Sequence, residues 1–205
     1  MIPIRRFSIL WGMKYILLLA GVVFISKIQA QEIVFEKIDT TMKIGKYGYK
    51  VNCRNKEIKS NVLSVRPLGF ESPANETMNM PMRGRVSAAM VDDLNSDGLA
   101  DLVVFIYTDS AAIHGTVYAL ISDGEKALMP VGLPDPALDG KISTGYKGHD
   151  VFSMLEGTVL ERYPIFKAGD KDDAPTGGTR TIQYNITKGE SGGYKFHILR
   201  FYDTH

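Results

Sequence analysis

One cysteine, Cys53, stands in the whole chain of 205 residues. No internal disulfide can form from it, so the fold has to rest on an apolar core. A lipid anchor is excluded on the same ground, because it would need a cysteine directly behind an N-terminal apolar segment. Cys53 itself reads as a small strand residue rather than a reactive thiol. Charge of one sign is missing too. If residues 1–30 are removed, four of the 24 basic residues go and none of the 23 acidic ones, which leaves a formal charge of −3. That balance offers nucleic acid no basic footprint. No segment after residue 30 is long and apolar enough to span a bilayer. Catalytic signatures are absent as well: there is no Gly-x-Ser-x-Gly elbow, Walker loop, His-Glu-x-x-His or Cys-x-x-Cys. His114, His149, His197 and His205 lack metal-ligand spacing, and each suits a strand or a turn. His149 and Asp150 are adjacent, and neighbours on a strand point to opposite faces, which argues against a base and its orienter. The chain is expected not to be an enzyme.

What is present begins with an export signal. Arg5, Arg6 and Lys14 precede an uncharged apolar run from Tyr15 to Ile25, and polar character starts at Gln31-Glu32. A basic region, a short apolar region and a small residue before the cut define a secretory signal peptide. The run is shorter than the roughly 20 residues a membrane-spanning helix needs. Cleavage is therefore expected after Ala30, with no membrane anchor left afterwards. Met13-Lys14 supplies a second, more compact start for the same signal. The expected product is a single domain, residues 31–205, periplasmic or secreted. A chain of about 175 residues buries roughly 70% of its unfolded surface, enough for a core without disulfides.

The rest of the chain alternates over short stretches. Runs at 42–52, 61–66, 85–90, 102–107, 116–121, 151–155, 159–166, 180–186 and 194–202 are rich in β-branched and aromatic residues and bounded by Gly, Pro, Asp and Asn. Such lengths and boundaries favour strands over helices. The 102–107 run is almost continuously apolar, as for a strand covered on both faces. Val62 falls out of phase with Leu63 and Val65, so it should face water. No stretch keeps a 3.6-residue period. The expected fold is all-β, an antiparallel β-sandwich of about eight strands with few or no helices. The longest irregular segments are expected at 69–83 and 169–178, and residues 31 to about 40 form a lead-in.

The sharpest local pattern is Asp93-Leu94-Asn95-Ser96-Asp97-Gly98-Leu99-Ala100-Asp101. Oxygen-bearing side chains occupy positions 1, 3 and 5, glycine the sixth and an acid the ninth. Calcium takes six to eight oxygens, and this spacing can supply them from Asp93, Asn95, Asp97, the Leu99 carbonyl and Asp101. An EF-hand needs Glu at position 12, where this chain has Val104, so the loop is closer to the calcium loops of β-propeller and integrin-like repeats. The same residues also make an Asx-rich turn, with carboxylates accepting backbone N–H groups. Thr176-Gly177-Gly178-Thr179-Arg180 has no helix behind it and is no phosphate cradle. No certain cofactor follows from the sequence.

Four blocks in order resemble one family. They are Asp93 to Gly98 followed by the apolar strand; Gly148-His149-Asp150-Val151-Phe152; Arg162 to Asp170, reading Arg-Tyr-Pro-Ile-Phe-Lys-Ala-Gly-Asp; and Pro175 to Arg180 with Gln183-Tyr184. Between about residues 91 and 184 they make the chain similar to the periplasmic inhibitors of invertebrate-type (i-type) lysozyme, the PliI family. The resemblance implies an antiparallel β-sandwich that binds lysozyme outside the cytoplasm. It implies that the loop after the apolar strand enters the enzyme's cleft and hydrogen-bonds near the catalytic carboxylates. In the family that loop reads roughly Ser-Gly-Ser-Tyr-Gly. The matching residues here are Ala111, Ala112, Ile113, His114 and Gly115, of which only the closing glycine agrees. His114 stands where the family has tyrosine, and its imidazole can still donate to a carboxylate. The expected function is therefore lysozyme inhibition through the 109–115 loop, i-type favoured. The alternative is a diverged extracellular β-sandwich that binds another protein or a glycan, assisted by calcium.

Overall fold

Twelve strands build the described part of the chain, which in this computed structural model is residues 35–205 apart from Ser110 and Ala112. The expected signal segment lies outside those residues. Ile33–His205 forms one unit. The strands fall into three consecutive antiparallel meanders of four. The first sheet holds β1 (Ile38–Ile44), β2 (Tyr47–Cys53), β3 (Asn61–Leu68) and β4 (Met78–Met82). The second holds β5 (Arg85–Asp92), β6 (Asp101–Tyr107), β7 (Gly115–Ser122) and β8 (Leu128–Gly132). The third holds β9 (Val151–Leu155), β10 (Thr158–Pro164), β11 (Thr179–Lys188) and β12 (Tyr194–Thr204). The only helical element among the described residues is a single 3-10 turn, Pro136–Leu138, capped by the Asp135 carboxylate.

The second sheet is the middle layer, and the periodicity of β6 shows why. Every residue of that strand is buried. Val103, Phe105 and Tyr107 pack into one core with Val117, Ala119 and Ile121 of β7, against Phe152, Val159, Tyr163, Ile182, Tyr184 and Phe196 of the third sheet. Leu102, Val104 and Ile106 point the other way and meet Tyr49, Val51, Cys53, Leu63 and Val65 of the first sheet. A period of two therefore feeds two cores from one strand. Each fully buried aliphatic side chain contributes roughly 1.5–3 kcal/mol relative to exposure.

The all-β class and the sandwich agree with the sequence, and so does the exposure of Val62 beside buried Leu63 and Val65. The strand number does not: about eight were expected, and twelve stand among the described residues. The 42–52 run is two strands turning at Gly45-Lys46, and β4 lies inside the 69–83 segment read as irregular. β4 and β8 each contain a proline, Pro81 and Pro130, and each lies at a sheet edge. Proline lacks the N–H a central strand needs, so the pattern that disguised these strands also confines them to edges. Cys53 is fully buried at the end of β2, and burial raises its thiol pKa above the ordinary range.

Candidate functional site

One carboxylate ties together the described residues of the loop between β6 and β7. Asp109 Oδ1 accepts the N–H groups of Ala111 and Ile113, both at 3.0 Å, and Oδ2 accepts that of His114 at 2.6 Å. The Thr108 N–H donates to the His114 carbonyl at 3.0 Å and closes the hairpin. Partial burial alone would raise the Asp109 carboxyl. The N–H groups of Ile113, His114 and Ala111 outweigh it and hold the group below the usual carboxylate range. Asp109 thus stays ionised. His114 projects from this frame with 57% of its side chain exposed, its Nδ1 lying 3.4 Å from Asp109 Oδ2. Of the five loop residues singled out from sequence, Ala112 lies outside the described residues. The other four, Ala111, Ile113, His114 and Gly115, share this hairpin. Asp109, which organises it, shows in sequence only as an aspartate at the start of a turn.

At the other end of β6, Asp93, Asn95, Asp97, Leu99 and Asp101 form the second candidate. Asp93 accepts the N–H groups of Asp97 and Gly98 at 3.0 and 2.9 Å. Asp97 accepts Leu99 N–H at 2.9 Å, and the Ser122 hydroxyl lies 3.2 Å from both its carboxylate oxygens. Asn95 Nδ2 donates to the Ser122 carbonyl at 2.7 Å and also approaches Asp97 and Tyr194. Asp101 is fully buried and receives Leu94 N–H at 2.8 Å and Ser122 N–H at 2.7 Å. Its burial outweighs those donors and pushes the carboxyl up to about 6. All six oxygens of the three aspartates have N–H or O–H partners, the bonding of an Asx-rich turn. Among the described residues no group of three or more His, Cys, Asp or Glu is placed to hold a metal ion. Beside the loop runs a groove of about 430 Å³, lined by polar residues that include Asp92, Asn95, Glu156, Thr158 and Asn185.

The remaining blocks serve the frame. Arg180 reaches Asp203 with Nε and Nη2, each at 2.8 Å, and its Nη1 donates to the Ile142 carbonyl at 2.7 Å. Gly178 sits at φ +87, and a Cβ there would lie 2.1 Å from the Thr204 carbonyl oxygen. No other residue fits that turn into β11. Asp170 ties the loop before it, accepting Lys167 and Thr176 N–H at 2.7 and 2.8 Å.

Two further acids are buried, which the sequence did not show, although Asp150 stands in the second block. Asp150 is 1% exposed; its Oδ2 accepts Gly115 N–H at 2.8 Å and the Tyr146 hydroxyl at 3.0 Å, while Oδ1 has no partner among the described residues. Burial pushes its carboxyl to about 6. Glu161 is fully buried on β10, with the Tyr184 hydroxyl 2.8 Å from Oε2 and no partner for Oε1 among the described residues. Its one sequence signal is phase, since it alternates with the core residues Val159 and Tyr163. Neither acid lines the groove beside Asp93 or the one bordered by Pro134, Ile142, Tyr184 and Phe201.

Against this geometry, no protein-family model, no curated protein and no solved structure matches the chain.

Proposed function

We propose that the protein is an exported inhibitor of a lysozyme, i-type favoured, which seats the 109–115 hairpin in the enzyme's cleft. The observation that carries this reading is the triple N–H clasp of Asp109, which holds His114 outward on a preset frame. A loop ordered before contact loses less conformational freedom on binding. His114 supplies a donor for a cleft carboxylate, and a protonated imidazole makes that hydrogen bond charge-assisted. The four blocks that resemble the family support the reading from sequence. All of them lie at or beyond Asp93, on β6, β9, β10 and β11 of the second and third sheets and the loops beside them, and none lies in the first sheet.

The test is inhibition of i-, c- and g-type lysozymes by the wild type and by His114→Ala, at about pH 5.5 and about pH 7.5, the range in which imidazoles gain and lose a proton. Inhibition that is lost in the variant is expected. Equal inhibition by both proteins removes His114 from the mechanism. If neither protein inhibits, the second reading takes over, a binding module for another extracellular protein or a glycan. What favours that reading is the polar groove beside the Asp93 loop.

A further inference from the structure

The hairpin does not stand free. The Ile113 carbonyl accepts the N–H groups of His149 at 2.5 Å and Asp150 at 3.3 Å. From below, the Asp150 carboxylate accepts the N–H of Gly115. The 147–150 segment is thus tied to both flanks of His114. Gly148, at φ +80, makes the contact close: a Cβ there would lie 2.7 Å from the Ile113 carbonyl oxygen and 3.0 Å from His114 Cδ2. The His114 ring therefore rests against bare backbone. Lys147 and His149 flank that backbone, and both reach one ring. Lys147 Nζ is 4.8 Å from the Phe166 centroid, and the His149 and Phe166 rings are 5.8 Å apart. The Gly148 backbone thus carries the His114 ring against it, and its two chain neighbours, Lys147 and His149, both reach the Phe166 ring. The acids nearby are engaged: Asp109 by three N–H groups, Asp150 in the core, and Asp172 with Lys147 at 3.1 Å. The Asp172 side chain is 91% exposed, so that last pair is weak and exchangeable.

We propose that the 147–150 segment is the second half of the recognition surface, with Lys147 and His149 beside His114 facing carboxylates of a protein cleft and Asp150 as the positioning residue beneath. This inference rests on the reading of the hairpin as the binding element. Hydrogen-bond donors and a cation grouped on one face complement an acidic partner and steer its approach. Lys147 and His149 add a cation and a second imidazole to the one that His114 supplies. The Gly148 contact explains how the two segments hold one geometry.

The experiment uses the full chain with the double variant Lys147→Ala/His149→Ala, with Gly148→Ala, and with His114→Ala for comparison. The readouts are lysozyme inhibition and amide exchange. The double variant should weaken inhibition about tenfold, a loss equivalent to about 1.4 kcal/mol, with hairpin exchange unchanged. Gly148→Ala should speed exchange at Ile113, His114 and Gly115. A double variant that inhibits like the wild type, while His114→Ala does not, overturns the proposal. Hairpin exchange indifferent to Gly148→Ala overturns it as well. If the wild type inhibits no lysozyme, the lysozyme reading falls separately, and a hexaglutamate peptide titrated against the wild type decides the surface by NMR. Ring signals of His114 and His149 that shift together support it; a shift at only one, or at neither, overturns it.

Discussion

Glu161 provides the sharpest test of the packing. It sits fully buried on β10 between two core positions, with the Tyr184 hydroxyl on one oxygen and no hydrogen-bond partner among the described residues on the other. Burial, and behind it the charge of Asp150, push its carboxyl from an ordinary 4.5 to about 8. At neutral pH the folded protein therefore holds a proton on Glu161 that the unfolded chain has released. Between those two values folding takes up a proton, and stability falls by about 1.4 kcal/mol for each pH unit of increase. The group's contribution is fully present below about 4.5 and lost as pH rises through about 8. From pH 5 to pH 8 the loss from this one side chain is on the order of 4 kcal/mol, a large part of a domain's usual 5–15 kcal/mol. Glu161→Gln keeps the shape and cannot ionise. Urea unfolding of both proteins across that range should show the variant gaining on the wild type by several kcal/mol as pH rises. Asp150 steepens the acid end of both curves alike, since burial holds it at about 6 against an ordinary 3.8. Parallel profiles for wild type and variant would refute the argument, because they would mean that Glu161 ionises in the folded state as easily as in water.

Three more outcomes are expected. Arg180→Ala removes the paired contacts to Asp203 and the Ile142 carbonyl; it should cost about 3 kcal/mol in denaturant unfolding, and a loss within 0.5 kcal/mol would show the pair to be solvated. Asp93→Ala frees two backbone N–H groups and should lower stability by about 1–2 kcal/mol, while the wild-type melting temperature stays the same in calcium and in chelator. A melting temperature that climbs with calcium concentration, and no longer does so in Asp97→Ala, would instead mean that the loop binds the ion in the folded state. N-terminal sequencing of the exported protein should begin at or near Gln31, and an intact 1–30 segment in the membrane fraction would sink the signal-peptide reading.

The local pattern settled several matters by itself. Short alternating runs specify strands, because a period of two can bury only a strand's face, and the unbroken 102–107 run specifies a strand with two covered faces. Tertiary structure decided the rest. Which sheets flank β6, and hence that there are three layers, depends on pairings between segments far apart in the chain. Pro81 and Pro130 hid β4 and β8, because proline argues against a strand until the strand is known to lie at an edge. The Asx pattern at Asp93 allowed a cation or a turn, and only the positions of Ser122 and Tyr194 show where its side chains reach. Asp150 lies far along the sequence from the hairpin it supports, and Glu161 from the Tyr184 hydroxyl it accepts. Periodicity reports which face a side chain takes. The partner it meets there, and the proton it keeps as a result, exist only once the sheets have packed.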